Sequence, residues 1–373
     1  MISHGVMALL ALVWVLALFA VALIGDRLAG TPRWLRWHPW VYLLALGVFC
    51  TTWTFFGSVG QMASTGWWFP PTYLGAIFLF VFGWRVLHKL IRLAKEQNLS
   101  SLADLLAARY GRSHAVAALV TLIALIGIIP YIALQLKAVA FSYDLLTRTG
   151  ASVPVSWWQD TALYVTVVMA LFTVFFGARH TASSEQQPGL MLAIAFESIL
   201  KLLALAAVGI LAWQHADMRD WFVRSVPLRA DNSMLAYTVQ AMLGGFAMLC
   251  LPRQFHVTVV EHSTSRDLPL ARRWYPLYLI LLGMFLLPLT LAGEAMLRGT
   301  VAPDTYVLNL PMALNQPSFA VLAFIGGLAA ATSMVIVASV ALSTMVSHTI
   351  VSVQPSHLST TRARQHHRIF PMR

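Results

Sequence analysis

Charge is scarce in this chain. Only 10% of its 373 residues are Asp, Glu, Lys or Arg, where water-soluble domains carry about 25%. Cysteine is nearly absent too. Cys50 and Cys250, both inside apolar runs, exclude a disulfide framework and a four-cysteine zinc site. A glycine-rich phosphate loop, a zinc-protease histidine pair and a lipase-type serine elbow are missing. The chain is therefore read as carrying no catalytic site of its own. It also lacks a long polar domain, a low-complexity tract and an obvious repeat. What it has in abundance is apolar surface: 59% of residues are hydrophobic and the mean hydropathy is +0.73. A soluble fold of this size cannot hide so much, which points to the lipid bilayer.

A bilayer-crossing helix needs about 20 apolar residues. Nine stretches qualify: 5–25, 39–58, 67–90, 114–143, 161–178, 188–213, 233–251, 274–297 and 318–349. The first is too long, and its start too poor in Lys and Arg, for a cleavable signal. With the N-terminus outside, the inside connections hold eighteen Lys plus Arg and the outside ones five. Lys and Arg accumulate on the inner side of membrane proteins, so the net charge of +11 reports topology, and no nucleic acid is needed to explain it.

The few polar residues at membrane depth are costly and therefore informative. Glu197 and Lys201 stand four apart on the sixth span, which places them on one face as a structural ion pair. Tyr131 and Gln135 share a face of the fourth span, with Pro130 just before them and Lys137 just after. Thr332 and Ser333 follow small residues on the ninth. The second span runs into Phe55-Phe56-Gly57-Ser58-Val59-Gly60, and the seventh holds Gly244-Gly245. Interrupted helices in matching places of two inverted repeats build the midplane site of many secondary transporters; close packing through small residues is the other reading of such glycines. His256, Glu261 and His262 fall in an inside connection, where a metal site is conceivable only weakly.

Several of these stretches carry a family resemblance. Thr52-Trp53-Thr54-Phe55-Phe56-Gly57-Ser58-Val59-Gly60, Ala108-Arg109-Tyr110-Gly111 and Ala330-Ala331-Thr332-Ser333 resemble the sodium:solute symporter family. Ile194-Ala195-Phe196-Glu197-Ser198 with Lys201-Leu202, and Leu251-Pro252-Arg253-Gln254-Phe255-His256-Val257-Thr258-Val259-Val260-Glu261, look more specifically like the transporter-like input domain of bacterial sensor histidine kinases of the CbrA type. The resemblance spans residues 39 to about 347.

It implies an all-α, LeuT-like inverted-repeat transporter fold of about nine of thirteen helices. An extra first helix (5–25) precedes the first repeat (39–213) and a partial second repeat (233–347), and an atypical basic tail (348–373) follows, as in a truncated or frameshifted product. Carried over residue by residue, the family's sodium site falls on Gly47, Cys50, Thr332 and Ser333, with sodium as the coupling ion. Two acids found nearby in some symporters are replaced by Phe49 and Val335, which leaves protons or no coupling open. The substrate positions fall on Trp53, Tyr131 and Gln135; another aromatic of proline-type symporters falls on Gly244.

The function implied is a multi-pass module of the bacterial inner membrane. It would bind a small extracellular solute, an amino acid such as histidine. The signal would pass to kinase domains, and through them to a response regulator, only in a longer parent. The alternatives are a stand-alone sodium- or proton-coupled symporter and a non-functional fragment.

Overall fold

The computed structural model describes residues 3–147, 161–172, 174, 186–215 and 234–351. Among them there is helix and no strand. The end of the fifth span, the connections around residues 150, 180 and 225, and the basic tail from residue 352 lie outside the described residues.

The helices begin where side-chain chemistry lets them. Helix α1 (His4–Leu28) starts after Ser3, whose hydroxyl accepts from Val6 N. Helix α2 (Pro32–Ala45) has Thr31 as its cap and Pro32 in its first turn, a position that needs no N–H. Next come α3 (Ser58–Thr65), α4 (Pro71–Val81), α5 (Trp84–Glu96) and α6 (Leu102–Arg109), the last capped by Ser101. The long α7 (His114–Thr147) runs unbroken through Pro130, so that proline does not open the backbone beside Tyr131. Helices α8 (Thr161–Phe172) and α9 (Pro188–Trp213) follow. The remainder are α10 (Met234–Cys250), α11 (Pro252–Phe255), α12 (Asp267–Leu297), α13 (Tyr306–Ala313) and α14 (Pro317–Val351).

Five of these, α1, α7, α9, α12 and α14, are long and apolar enough to cross a bilayer, and three bent pairs raise the number to as many as eight. The chain is thus a multi-pass membrane protein. Helices α9 and α14 form the centre: α9 packs on α1, α2, α12 and α14, and α14 also packs on α7. Most of the apolar stretch of α14 is buried, whereas α1 and α7 present most of theirs outward.

Two breaks were expected, and the described residues contain three. The second span bends by 70° between Phe49 and Trp53, and the seventh by 58° between Cys250 and Pro252. The seventh does not open at Gly244-Gly245. There the bland reading holds, because α10 lies directly on α4. A Cβ on Gly244 would fall 2.3 Å from Thr72 O, and one on Gly75 would fall 1.7 Å from Ala241 O. The chain beyond Pro252, expected as a loop, is helical through α11 and a π-helical turn, His256–Val260. The third break bends the expected span 67–90 by 71° between Val81 and Trp84. Helix α5 alternates basic and apolar residues, with Leu87, Ile91 and Ala94 inward, so it lies along a surface and does not continue α4.

Candidate functional site

The break in the second span frees backbone groups at membrane depth, where each needs a protein partner. The 3-10 turn Leu46–Phe49 ends at Cys50, and a π-helical turn, Trp53–Gly57, resumes the chain. Tyr275 Oη donates to Leu46 O at 3.1 Å. Thr54 Oγ1 donates to Thr51 O at 2.8 Å. Thr52 N and Thr52 Oγ1 both donate to Gln135 Oε1, at 2.9 and 2.6 Å. The ring edges of Phe55 and Phe56 are received by Gly326 and Gly327 of α14, where a Cβ would meet them at 2.8 and 2.4 Å.

The carbonyls of Gly47 and Cys50 are taken by Lys201. Its Nζ lies 2.8 Å from Gly47 O, 3.0 Å from Cys50 O and 3.3 Å from Ser333 Oγ. An ammonium has three N–H groups, and here each has an oxygen. Lys201 is 1% exposed. Gly47, Cys50 and Ser333 are thus brought together around one cation, and that cation belongs to the protein. A sodium ion does not fit beside it: two positive charges would share the same oxygens in a medium of low dielectric constant.

Glu197 and Lys201 share a face of α9, yet they form no ion pair. Thr332 Oγ1 donates instead to Glu197 Oε1 and also lies 2.9 Å from Leu328 O. The second carboxylate oxygen, Oε2, is buried without a partner. The expected tie within α9 is therefore replaced by two ties between elements, Lys201 to the broken span and Glu197 to α14. The physical reason is the break itself. Bare carbonyls at 2.8 to 3.0 Å offer the ammonium shorter, better-aimed contacts than a neighbour one turn away.

Beside this cluster lies a cavity of about 640 Å³. Phe49, Trp53 and Thr54 of the second span, Tyr131 of α7 and Gly244, Leu251 and Arg253 of the seventh span line it, and it reaches Leu102 and Leu106 of α6. Trp53 and Tyr131 thus share one cavity wall. Tyr131 Oη is 2.8 Å from Thr51 Oγ1. Gln135 is not in the lining; it is fully buried behind Thr52 and ties α7 to the break. A second cavity, about 260 Å³, also has Trp53 in its wall, together with Thr52, Lys137, Asp304 and Thr305.

Arg253 was not anticipated as a site residue. It had been counted as a loop charge. In the structure it is 3% exposed, and its guanidinium carbon stands 5.0 Å from the centroid of the Tyr131 ring, within cation–π range. Its place directly after Leu251-Pro252, at the end of an apolar run, was the signal available. A buried pair was also missed: His38 Nδ1 lies 3.1 Å from Asp267 Oδ1, and Asp267 accepts from Ser263 N and Thr264 N, each at 2.8 Å.

The histidines flanking Glu261 make no metal site. Among the described residues no group of three His, Cys, Asp or Glu is arranged to hold one. Glu261 instead accepts from Gln187 N at 3.2 Å. Outside the spans, burial pushes His262 down to about 4, helped by the charge of Lys95. Comparison with known protein families, curated proteins and solved structures gives no match.

Proposed function

We propose that the chain is a transporter-like module of LeuT-like inverted-repeat architecture. It binds a small extracellular solute, an amino acid such as histidine, and in a longer parent it relays occupancy to cytoplasmic kinase domains and their response regulator. It resides in a bacterial inner membrane with its N-terminus outside, the side the Lys and Arg distribution favours.

The observation that carries this reading is the cavity held between the two broken spans. Breaks expose backbone and make room, and packing usually removes both; here the room is kept. Spans 2 and 7 stand five apart, as the first members of two five-helix repeats would. Trp53 borders two cavities, which fits a residue that parts two access routes in an alternating-access site. A ligand shifts such an equilibrium by its differential affinity for the two states, which serves sensing and transport alike.

The occupied ion site separates this reading from its main rival. A sodium-driven symporter needs the Gly47, Cys50 and Ser333 oxygens for its ion, and Lys201 holds them. The module is therefore proposed to bind its solute without sodium.

Radiolabelled histidine binding and uptake in membranes expressing the full chain test the proposal. Trp53→Ala and Tyr131→Ala are each expected to weaken binding by about tenfold, the scale of one lost aromatic contact, with normal insertion. Unchanged binding in both variants would remove the cavity from the account.

A further inference from the structure

The ionisable groups buried around the breaks do not balance. Lys201 and Arg253 are both buried cations. Glu197 is the acid at hand, and it faces Thr332. Lys201 is provided with three oxygens. Arg253 forms no salt bridge among the described residues, and its Nε is buried without a hydrogen-bond partner. Its neighbour is Tyr131, whose ring faces the cation and whose side chain shares a hydrogen bond with it, but a neutral phenol brings no counter-charge. A buried arginine left in this state needs a counter-charge.

The cavity shows where that counter-charge comes from. Arg253 is the one charged residue in its described lining, which otherwise offers aromatic and aliphatic side chains, the hydroxyls of Thr54 and Thr72 and the thiol of Cys250. No Asp, Glu or His lines it. A planar guanidinium pairs with a planar carboxylate through two parallel hydrogen bonds. Resting on the solute reading above, we infer that Arg253 is the carboxylate-recognition residue of the cavity and that the ligand is a small carboxylate with an apolar or aromatic body.

The same geometry says which part of an amino acid is read less strongly. An α-ammonium group is met best by an acid, and the described lining has none; the hydroxyls of Thr54 and Thr72 are the neutral acceptors it offers. The carbonyls released at the first break are already held, Leu46 O by Tyr275 and those of Gly47 and Cys50 by Lys201. The carboxylate is the group met by a charge, and the ammonium contributes less.

Competition against radiolabelled histidine on the purified full chain in sodium-free buffer tests this with two probes. Imidazolepropionate keeps the carboxylate and lacks the ammonium; histamine does the reverse. Imidazolepropionate is expected to compete within a few-fold of histidine, and histamine at least roughly tenfold more weakly, the scale of a charge-assisted contact. Arg253→Gln is expected to weaken histidine to the level of histamine, and Arg253→Lys to fall between. Histamine competing as well as histidine would overturn the inference and leave the solute cavity standing. Failure of all three to bind saturably would overturn both. If Arg253→Gln does not remain monodisperse, the comparison of probes on the unaltered protein decides.

Discussion

At the scale of single residues, the structure turns on which polar group satisfies which. Lys201 was legible as a costly charge in a membrane helix, but its partner was not. Sequence spacing shows neighbours on one helix, and Glu197 four residues away was the visible candidate. The oxygens that hold Lys201 are backbone carbonyls 151 and 154 residues away, exposed only because the second span breaks. The consequence is measurable. Lys201→Met strips Cys50 O of its side-chain donor and is expected to cost about 2–4 kcal/mol, read as a lowered melting temperature in detergent. Glu197→Gln, which can still accept from Thr332, is expected to cost clearly less. Equal losses, or a double variant that rescues Glu197→Gln, would restore the ion pair within α9.

At the scale of elements, helices were easier to read than breaks. Apolar runs of 21 to 32 residues mark α1, α7, α9 and α14 in the sequence, and the limits of α9 match to the residue. Two of the three breaks were anticipated, but the glycines proposed for the second do another job. Gly244 and Gly245 let α10 approach α4; Pro252 makes the bend. Small residues in a sequence cannot tell a loosened backbone from a close crossing until the partner helix is known. Gly75→Ala is expected to push α4 off α10 and destabilise by about 2 kcal/mol or more. Gly127→Ala, where a Cβ meets nothing within 4 Å, is expected to be neutral or to stabilise by up to about 1 kcal/mol. Thermal unfolding of the two variants side by side checks the crossing; equal behaviour would contradict it.

The connection between the π-helical turn and α12 carries a pH dependence. His262 in the folded chain is held near 4 by burial and by Lys95, and an unfolded histidine titrates near 6.5. Between these values the unfolded chain binds the extra proton. Stability is therefore full above about pH 6.5 and falls as the pH drops toward 4, by at most one proton's worth per unit. His262→Phe keeps the aromatic edge against Tyr42 and is expected to flatten melting temperature against pH in that window. An unaltered slope would place the titration elsewhere.

At the scale of the whole molecule, composition alone established a multi-pass membrane protein, and the distribution of Lys and Arg supplied an orientation. One of those charges, Arg253, turns out to be buried beside the cavity, which no count of loop charges can reveal. The cavity itself was legible only in part, through Trp53 and Tyr131. Its remaining walls come from five further elements whose meeting is a property of the fold. The central claim joins the two clusters: a solute cavity between broken spans, with the neighbouring ion site filled by the protein's own Lys201. Equilibrium binding of radiolabelled histidine to the purified full chain, in sodium and in choline at equal ionic strength, tests it most directly. The account predicts saturable binding with the same Kd in both. Binding that strengthens tenfold or more with sodium, or no saturable binding in either, would contradict it.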